Sequence, residues 1–326
     1  MPQRAPQAPG VKRRLPRGLG LLFCVSLFWA DLHLGSAAET PKPTGPAPPF
    51  LIQDDAWRPL RSCADTTLQR RLEQRLAQHD LWRRLWREAK LGVGLVDLRR
   101  LESPRFAQVN GDTMLEAASL AKIAVLLAAH QSLAAGSLEQ TPELRTDLRA
   151  MIRVSSNAAA TRVIERLGSG RLGLARIAAV LTSPRYALFE PRYGGGLWVG
   201  AAYPAGRDSL PDPLRGFLHA ATATQVCRFY HLLLTGRLVD FEHSQAMLAA
   251  MSEPGLRTKF VRALAGRVPA ARLYRKSGSW GLHHADSVLV WGEASQRYIA
   301  VALVEDPEGE TILVQLLPAL EATLGP

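Results

Sequence analysis

The sequence predicts an α+β fold: one antiparallel five-stranded sheet flanked by terminal helices, with an all-helical lobe inserted between the second and third strands. Three observations predict it. Two strand-like runs precede a long series of helical stretches, three more strand-like runs follow, and apolar helical periodicity brackets the whole.

Taken in order, residues 66–88 place Leu68, Leu72, Leu76, Leu81 and Leu85 at helical spacing among arginines. Residues 91–98 (LGVGLVDL) and 105–109 read as strands, and Asn110-Gly111-Asp112 turns the chain after the second. Residues 120–133 are apolar at helical length, so Ser119 stands at the entrance of a buried helix with Lys122 one turn inside. Residues 143–153 form a second helix and 157–167 a third, closed by Gly168. A loop rich in glycine, proline and aromatics spans 182–214, and helices return at 221–234 and 244–251. Residues 272–279, 285–291 and 297–304 are the last three strands, and 311–324 is the closing helix. No internal repeat is visible.

Upstream of this domain, Lys12, Arg13, Arg14 and Arg17 precede a short apolar stretch over 19–29, and Ser36-Ala37-Ala38 offers small residues for cleavage. Residues 1–38 therefore read as a signal peptide, since the apolar run falls short of the ~20 residues that span a bilayer. A proline-rich leader occupies 39–50, and 51–326 is the folded domain, with an α/β lobe from 51–118 and 258–326 and a helical lobe from 119–257. The expected location is periplasmic or secreted, with no stable membrane insertion after cleavage.

A composition of 47% hydrophobic and 21% charged residues is ordinary for a globular protein. The net charge is +11, of which residues 1–38 carry five bases and one acid. Arg70, Arg71, Arg75, Arg83, Arg84 and Arg87 cluster in the first helix without any nucleic-acid motif, so they read as a solvated face and nucleic acid is excluded as a partner. Cys63 and Cys227 remain after cleavage; two buried thiols is the first reading and a disulfide the alternative that export permits. Adjacent His283 and His284 point apart on a strand, and no His/Cys/Asp cluster has ligand spacing, so no metal or organic cofactor is implied. Nothing suggests heptads or an exposed apolar stripe, which leaves a monomer.

Chemistry enters through lysine. Only six of the forty Lys+Arg residues are lysine, and two of the six stand in Ser119-Leu120-Ala121-Lys122 and Lys276-Ser277-Gly278. Lysine yields its proton when desolvated or placed beside another cation, whereas arginine does not. Between them lies Ser155-Ser156-Asn157, so the order is S-x-x-K, S-x-N, K-S-G. Acyl transfer needs a nucleophile, a base, a proton relay and oxyanion donors. Ser119, Lys122 and Ser155 fill the first three places. Asn157 can hold Lys122 and a substrate amide, Lys276 can push a neighbouring amine toward neutrality, and Ser279 can supply an oxyanion N–H beside that of Ser119.

This set resembles the class A β-lactamase and penicillin-recognising serine hydrolase family, whose motifs are S-x-x-K, S-D-N and K-T/S-G. The resemblance spans about residues 66–324 and extends to Met151-Ile152, Leu167-Gly168 and Thr235-Gly236-Arg237-Leu238. It implies Ser119 as the acylated nucleophile, Lys122 as its base or base partner, Ser155 as proton shuttle, and Asn157, Lys276, Ser277, Gly278 and Ser279 as substrate-binding groups. It also implies a β-lactam or a peptidoglycan-derived peptide as substrate. Three departures stand out. Ser156 replaces the usual Asp, and the short interval from Ser119 to Ser155 implies a shortened helical lobe. Family members hold the hydrolytic water with a Glu-Pro glutamate supported by Asn; here Phe189-Glu190-Pro191 falls in the right region, but Gly194 to Gly196 stand where Asn is expected. Glu190 is thus either the deacylating base or an exposed loop carboxylate, and the glycine run is a candidate for shaping a different substrate groove. No arginine sits on the strand after Lys276, where many family members hold the substrate carboxylate; Asp286 falls near that position, leaving Lys276, Ser277 and Ser279 for the role. β-Lactam hydrolysis is the expected activity, with a D,D-peptidase or esterase of cell-wall material, or a catalytically idle sensor, as alternatives.

Overall fold

The computed structural model describes Pro48, residues 56–204 and residues 208–325; the segment read as a signal peptide and nearly all of the expected leader lie outside the described residues. Helix α1 (Thr66–Ala77) starts at Asp65, whose carboxylate accepts the Leu68 N–H at 2.7 Å, and it buries Leu68, Leu72 and Leu76. The helix expected over 66–88 is in fact two. At His79 the backbone turns extended (φ −107°, ψ 113°), and α2 (Asp80–Arg87) brings Trp82 and Leu85 into the same core as the α1 leucines.

Strands β1 (Leu91–Asp97) and β2 (Arg105–Val109) follow, and the short β3 (Leu115–Glu116) leaves the sheet. The helical lobe contains α3 (Lys122–Ala134), α4 (Pro142–Arg153), α5 (Asn157–Leu167) and α6 (Arg171–Thr182). Four short strands come next: β4 (Phe189–Glu190), β5 (Gly195–Gly196), β6 (Trp198–Val199) and β7 (His219–Ala221). Helices α7 (Ala223–Leu234), α8 (Phe241–Met251) and α9 (Lys259–Leu264) lead to β8 (Arg272–Trp280), β9 (His283–Trp291) and β10 (Arg297–Glu305), and α10 (Gly309–Leu324) ends the chain. Helix α6 has no counterpart in the sequence reading, because Gly168, Ser169 and Gly170 precede it and Gly173 sits in its first turn.

The main sheet is antiparallel in the order β2-β1-β10-β9-β8, so β8 is an edge strand whose outer side carries, among the described residues, only the Ser252–Tyr274 bridge. Strand β1 is buried along its whole length because both faces of the sheet are covered. Leu91, Val93 and Leu95 face a core built with α1, α2 and α10. On the opposite face Gly94 lets α7 come close, since a Cβ there would lie 2.6 Å from Cys227 Sγ. Cys63 and Cys227 are both free and buried. In the helical lobe, α3 is buried from Lys122 through His130 without a break, as expected of a helix at the centre of its lobe. Its first residue, Lys122, is therefore carried into the interior by the apolar residues behind it.

Candidate active site

The site is assembled on the outer side of β8. Ser119 lies in a 3-10 turn, Ala118–Ala121, that runs directly into α3 and so places Lys122 one turn further on. Ala118 has φ +46°, a conformation an L-residue adopts only when its surroundings impose it. The Glu116 carboxylate accepts the Ala118 N–H at 3.1 Å, and the Ala117 N–H donates to His219 O at 2.7 Å, which together hold this turn against β7. Gly278 seats β8 on the same turn. A Cβ there would fall 2.2 Å from Ala117 O and 2.8 Å from Ser119 N, so glycine alone permits the approach.

Ser155 also has a positive φ, +60°, in the connection between α4 and α5. Ser156 takes the place of the usual Asp as an N-cap: its hydroxyl accepts the Ala159 N–H at 3.2 Å and starts α5 at Asn157. Lys122 Nζ donates to Asn157 Oδ1 and to Ser155 O, both at 2.7 Å, and lies 3.5 Å from Ser155 Oγ. From the other side Lys276 Nζ donates to Ser155 Oγ at 3.0 Å and to Ser277 O at 2.6 Å. One hydroxyl is thus shared between two buried amines.

Burial pushes the Lys122 ammonium down to about 7. Lys276 is lowered well below the usual lysine value, first by burial and then by repulsion from Lys122 and Arg275. The expectation that Lys276 would discharge Lys122 thus meets a different cause: desolvation acts on Lys122, and the repulsion between the two amines is felt at Lys276.

A third scarce lysine belongs to the site and was missed in the sequence. Lys259, at φ +51° and 2% exposed, opens α9 behind β8. Its Nζ donates to Gly278 O, to Ser279 Oγ at 2.7 Å and to Ala285 O at 3.2 Å, and burial lowers it to about 8. The same scarcity that singles out Lys122 and Lys276 applies to Lys259, but no flanking motif marks it. Asp286 faces away from any ligand role. It is fully buried in a two-bond pair with Arg275, both contacts at 2.8 Å, and accepts the Phe260 N–H at the start of α9.

The structure does not bring Glu190 to this group of residues. One carboxylate oxygen takes Arg192, at 3.1 and 2.7 Å, and the other takes Gln225 Nε2 at 3.2 Å, so it is committed to α7. Nor is it exposed, with 12% of its side chain accessible. The glycines that follow it are closely packed, since a Cβ on Gly194 would lie 2.2 Å from Asp112 O and one on Gly196 2.0 Å from Leu188 O, and Gly194 also lines a surface pocket with Asp112, Arg192 and Tyr193. Facing Lys122 is Tyr203, followed by Pro204, with its ring centroid 4.5 Å from Nζ. Thr161 Oγ1 brackets the Tyr203 backbone, donating to its O at 2.7 Å and accepting its N–H at 3.1 Å. No carboxylate-proline step occupies that place.

Antiparallel sheet, inserted helical lobe and an S-x-x-K, S-x-N, K-S-G cleft together define the β-lactamase/transpeptidase type of fold. Residues 139–320 match the model of the β-lactamase enzyme family, and the chain belongs to that family. No curated protein matches the chain. Among solved structures, PBP-A is 18% identical with a TM-score of 0.56, covering 80% of this chain and 96% of its own. A β-lactamase from Sphaerobacter thermophilus is 17% identical with a TM-score of 0.56, covering 79% and 95%. A variant of the reconstructed last common ancestor of Gram-negative class A β-lactamases is 18% identical with a TM-score of 0.58, covering 77% and 98%. At such identities the likeness is one of fold. Among the described residues no helix is long and apolar enough to cross a membrane, and no three His, Cys, Asp or Glu side chains gather as a metal site.

Proposed function

We propose that the protein is an exported serine hydrolase that opens the amide of a β-lactam through an acyl-enzyme on Ser119. The observation that carries this reading is the sharing of Ser155 Oγ between Lys122 and Lys276, 3.5 and 3.0 Å away, beside the turn that presents Ser119. A Lys122 amine lowered to about 7 is substantially neutral at physiological pH and can act as a base. In the first step Ser119 Oγ attacks the lactam carbonyl carbon and its proton passes to the Lys122 amine. The oxyanion is met by the N–H groups of Ser119 and Ser279. The C–N bond then breaks, Ser155 gives its proton to the departing nitrogen, and Lys122 restores that proton. Lys276 and Ser277 hold the substrate carboxylate, Gly278 keeps β8 close, and Asn157 binds the substrate amide. In the second step water attacks the ester carbonyl and gives a proton to the Lys122 amine, the C–O bond to Ser119 breaks, and Lys122 returns that proton to Ser119 Oγ as the acid product leaves.

Glu190 has no part in this scheme because Arg192 and Gln225 hold both its oxygens. The aromatic Tyr203 over Lys122 favours a second reading, in which hydrolysis of a β-lactam ester is slow and the natural substrate is a cell-wall peptide. A variant of PBP-A, a relative by fold, is described as an acyl-enzyme complex with penicillin G.

Intact-mass measurement of the mature chain after brief exposure to a penicillin tests both readings. Transient acylation with turnover of a chromogenic cephalosporin, both lost in Ser119→Ala, is the expected result. An adduct that never clears moves the reading to the peptidase. No adduct at all would falsify the acyl-enzyme and leave a binding module.

A further inference from the structure

Lys122 Nζ has its hydrogen-bonding directions toward Asn157 Oδ1, Ser155 O and Ser155 Oγ, and the face left over is covered by the Tyr203 ring at 4.5 Å. That residue is held by two contacts, one of them itself anchored. Thr161 brackets its backbone, the His219 imidazole stacks on it at 4.2 Å and 23°, and His219 Nε2 is in turn 3.1 Å from Ala201 O. Tyr203 is 7% exposed, yet its buried hydroxyl has no hydrogen-bond partner among the described residues. A buried phenol that leaves its hydroxyl unpaired is retained for its ring.

We propose that the Tyr203 ring is a dry cover over the Lys122 amine, and that this cover, acting through Lys122, sets the pH at which Ser119 becomes reactive. Tyr203 is here a positioning residue, and the inference rests on the acyl-enzyme reading above. An aromatic face attracts an ammonium ion, but less than the water it displaces, so the net effect of the ring is to favour the neutral amine. The groups around Lys122 are consistent with that balance. Ser155 and Asn157 come from the α4–α5 connection and α5, and Lys276 from β8 is a second buried amine whose charged form is disfavoured by burial and by Lys122. His219 from β7 is held toward its neutral form by burial, so it adds little charge. Glu116 on β3 acts on the Tyr203 hydroxyl, and burial raises its own carboxyl. Burial is also the cause that lowers Lys122 itself.

The experiment is the pH dependence of Ser119 acylation by a fluorescent penicillin in the wild type, Tyr203→Phe and Tyr203→Ala. The wild type should lose reactivity on the acid side with a midpoint near the Lys122 value of about 7. Tyr203→Phe keeps the ring and should keep that midpoint. Tyr203→Ala admits water and should move the midpoint up by at least about one pH unit, recovering at high pH to within a few-fold of wild type. Should the alanine variant not fold, Tyr203→Gln, which fills the space with a polar group, should show the same upward displacement. An unmoved midpoint in the alanine or glutamine variant overturns the cover, and so does a midpoint that moves as far in Tyr203→Phe. Absence of labelling in every variant at every pH overturns the acyl-enzyme itself, a result distinguishable from labelling whose midpoint does not move.

Discussion

Two segments of the long connection between α6 and α7 each carry a side chain followed by proline, and the fold uses them in opposite ways. Glu190-Pro191 has the carboxylate that deacylation calls for, but its hairpin turns that carboxylate to α7 and to Arg192. Tyr203-Pro204 lacks the carboxylate, but Thr161 on α5 draws it over Lys122. Position over the amine is therefore decided by a pair of backbone hydrogen bonds from the helical lobe, not by which residue carries the useful functional group. The two halves of the cleft differ in the same way. The side formed by Ser119, Ser155 and β8 carries the groups to which acylation is assigned above, while the side formed by 189–204 sets an aromatic ring over Lys122.

The largest expected effect comes from giving the second segment what it lacks. Tyr203→Glu sets a carboxylate above Lys122, and a well-placed general base contributes roughly 10²–10⁴-fold. The lifetime of the penicillin adduct, read by intact mass, should shorten by a factor in that range. Because the added anion favours the charged amine, acylation at neutral pH should slow at the same time. An adduct lifetime equal to that of the wild type would mean that the segment does not govern deacylation.

How far the site could be read from the chain follows the same division. Ser119 and Lys122 share one turn and helix, Ser155 and Asn157 one connection, and Lys276 to Ser279 one strand; each group is local, so spacing reveals it. The five strands and most helices were legible for the same reason, since burial of one or both faces writes itself into apolar periodicity. Tyr203, Thr161 and Lys259 were not legible. Thr161 meets Tyr203 across 42 positions and Lys259 meets Ser279 across 20, contacts set by how the lobe folds back rather than by any local pattern. Glu190 misled because carboxylate-proline is a local signal, whereas the partner that matters is tertiary. His79 and the glycines around α6 show the milder case, in which a break or punctuation inside a periodic run shifts element boundaries without altering the fold.

A smaller effect tests what holds Tyr203 in place. Thr161→Val removes the hydroxyl that both donates to and accepts from the Tyr203 backbone while keeping the side chain's shape. Leaving those two partners unsatisfied should cost about 1–3 kcal/mol in denaturant unfolding. It should also move the acid midpoint of acylation in the same direction as Tyr203→Ala, because a loosened ring admits water to Lys122. Stability lost with the midpoint unchanged would make the Thr161 bracket a purely structural tie.

The smallest effect belongs to the first segment. Glu190→Gln keeps the shape and part of the hydrogen bonding to Gln225 while removing the charge opposite Arg192, whose side chain is 73% exposed. A pair with so accessible a partner is screened by solvent, and its loss should cost less than ~1 kcal/mol. Acylation and deacylation should both stay within about twofold of wild type, since no step is assigned to this carboxylate. A deacylation rate that falls by the 10²-fold or more expected of a lost base, with acylation unchanged, would return that role to Glu190. It would also require the 189–196 hairpin to leave α7 during turnover, carrying its carboxylate away from Gln225 and toward Lys122.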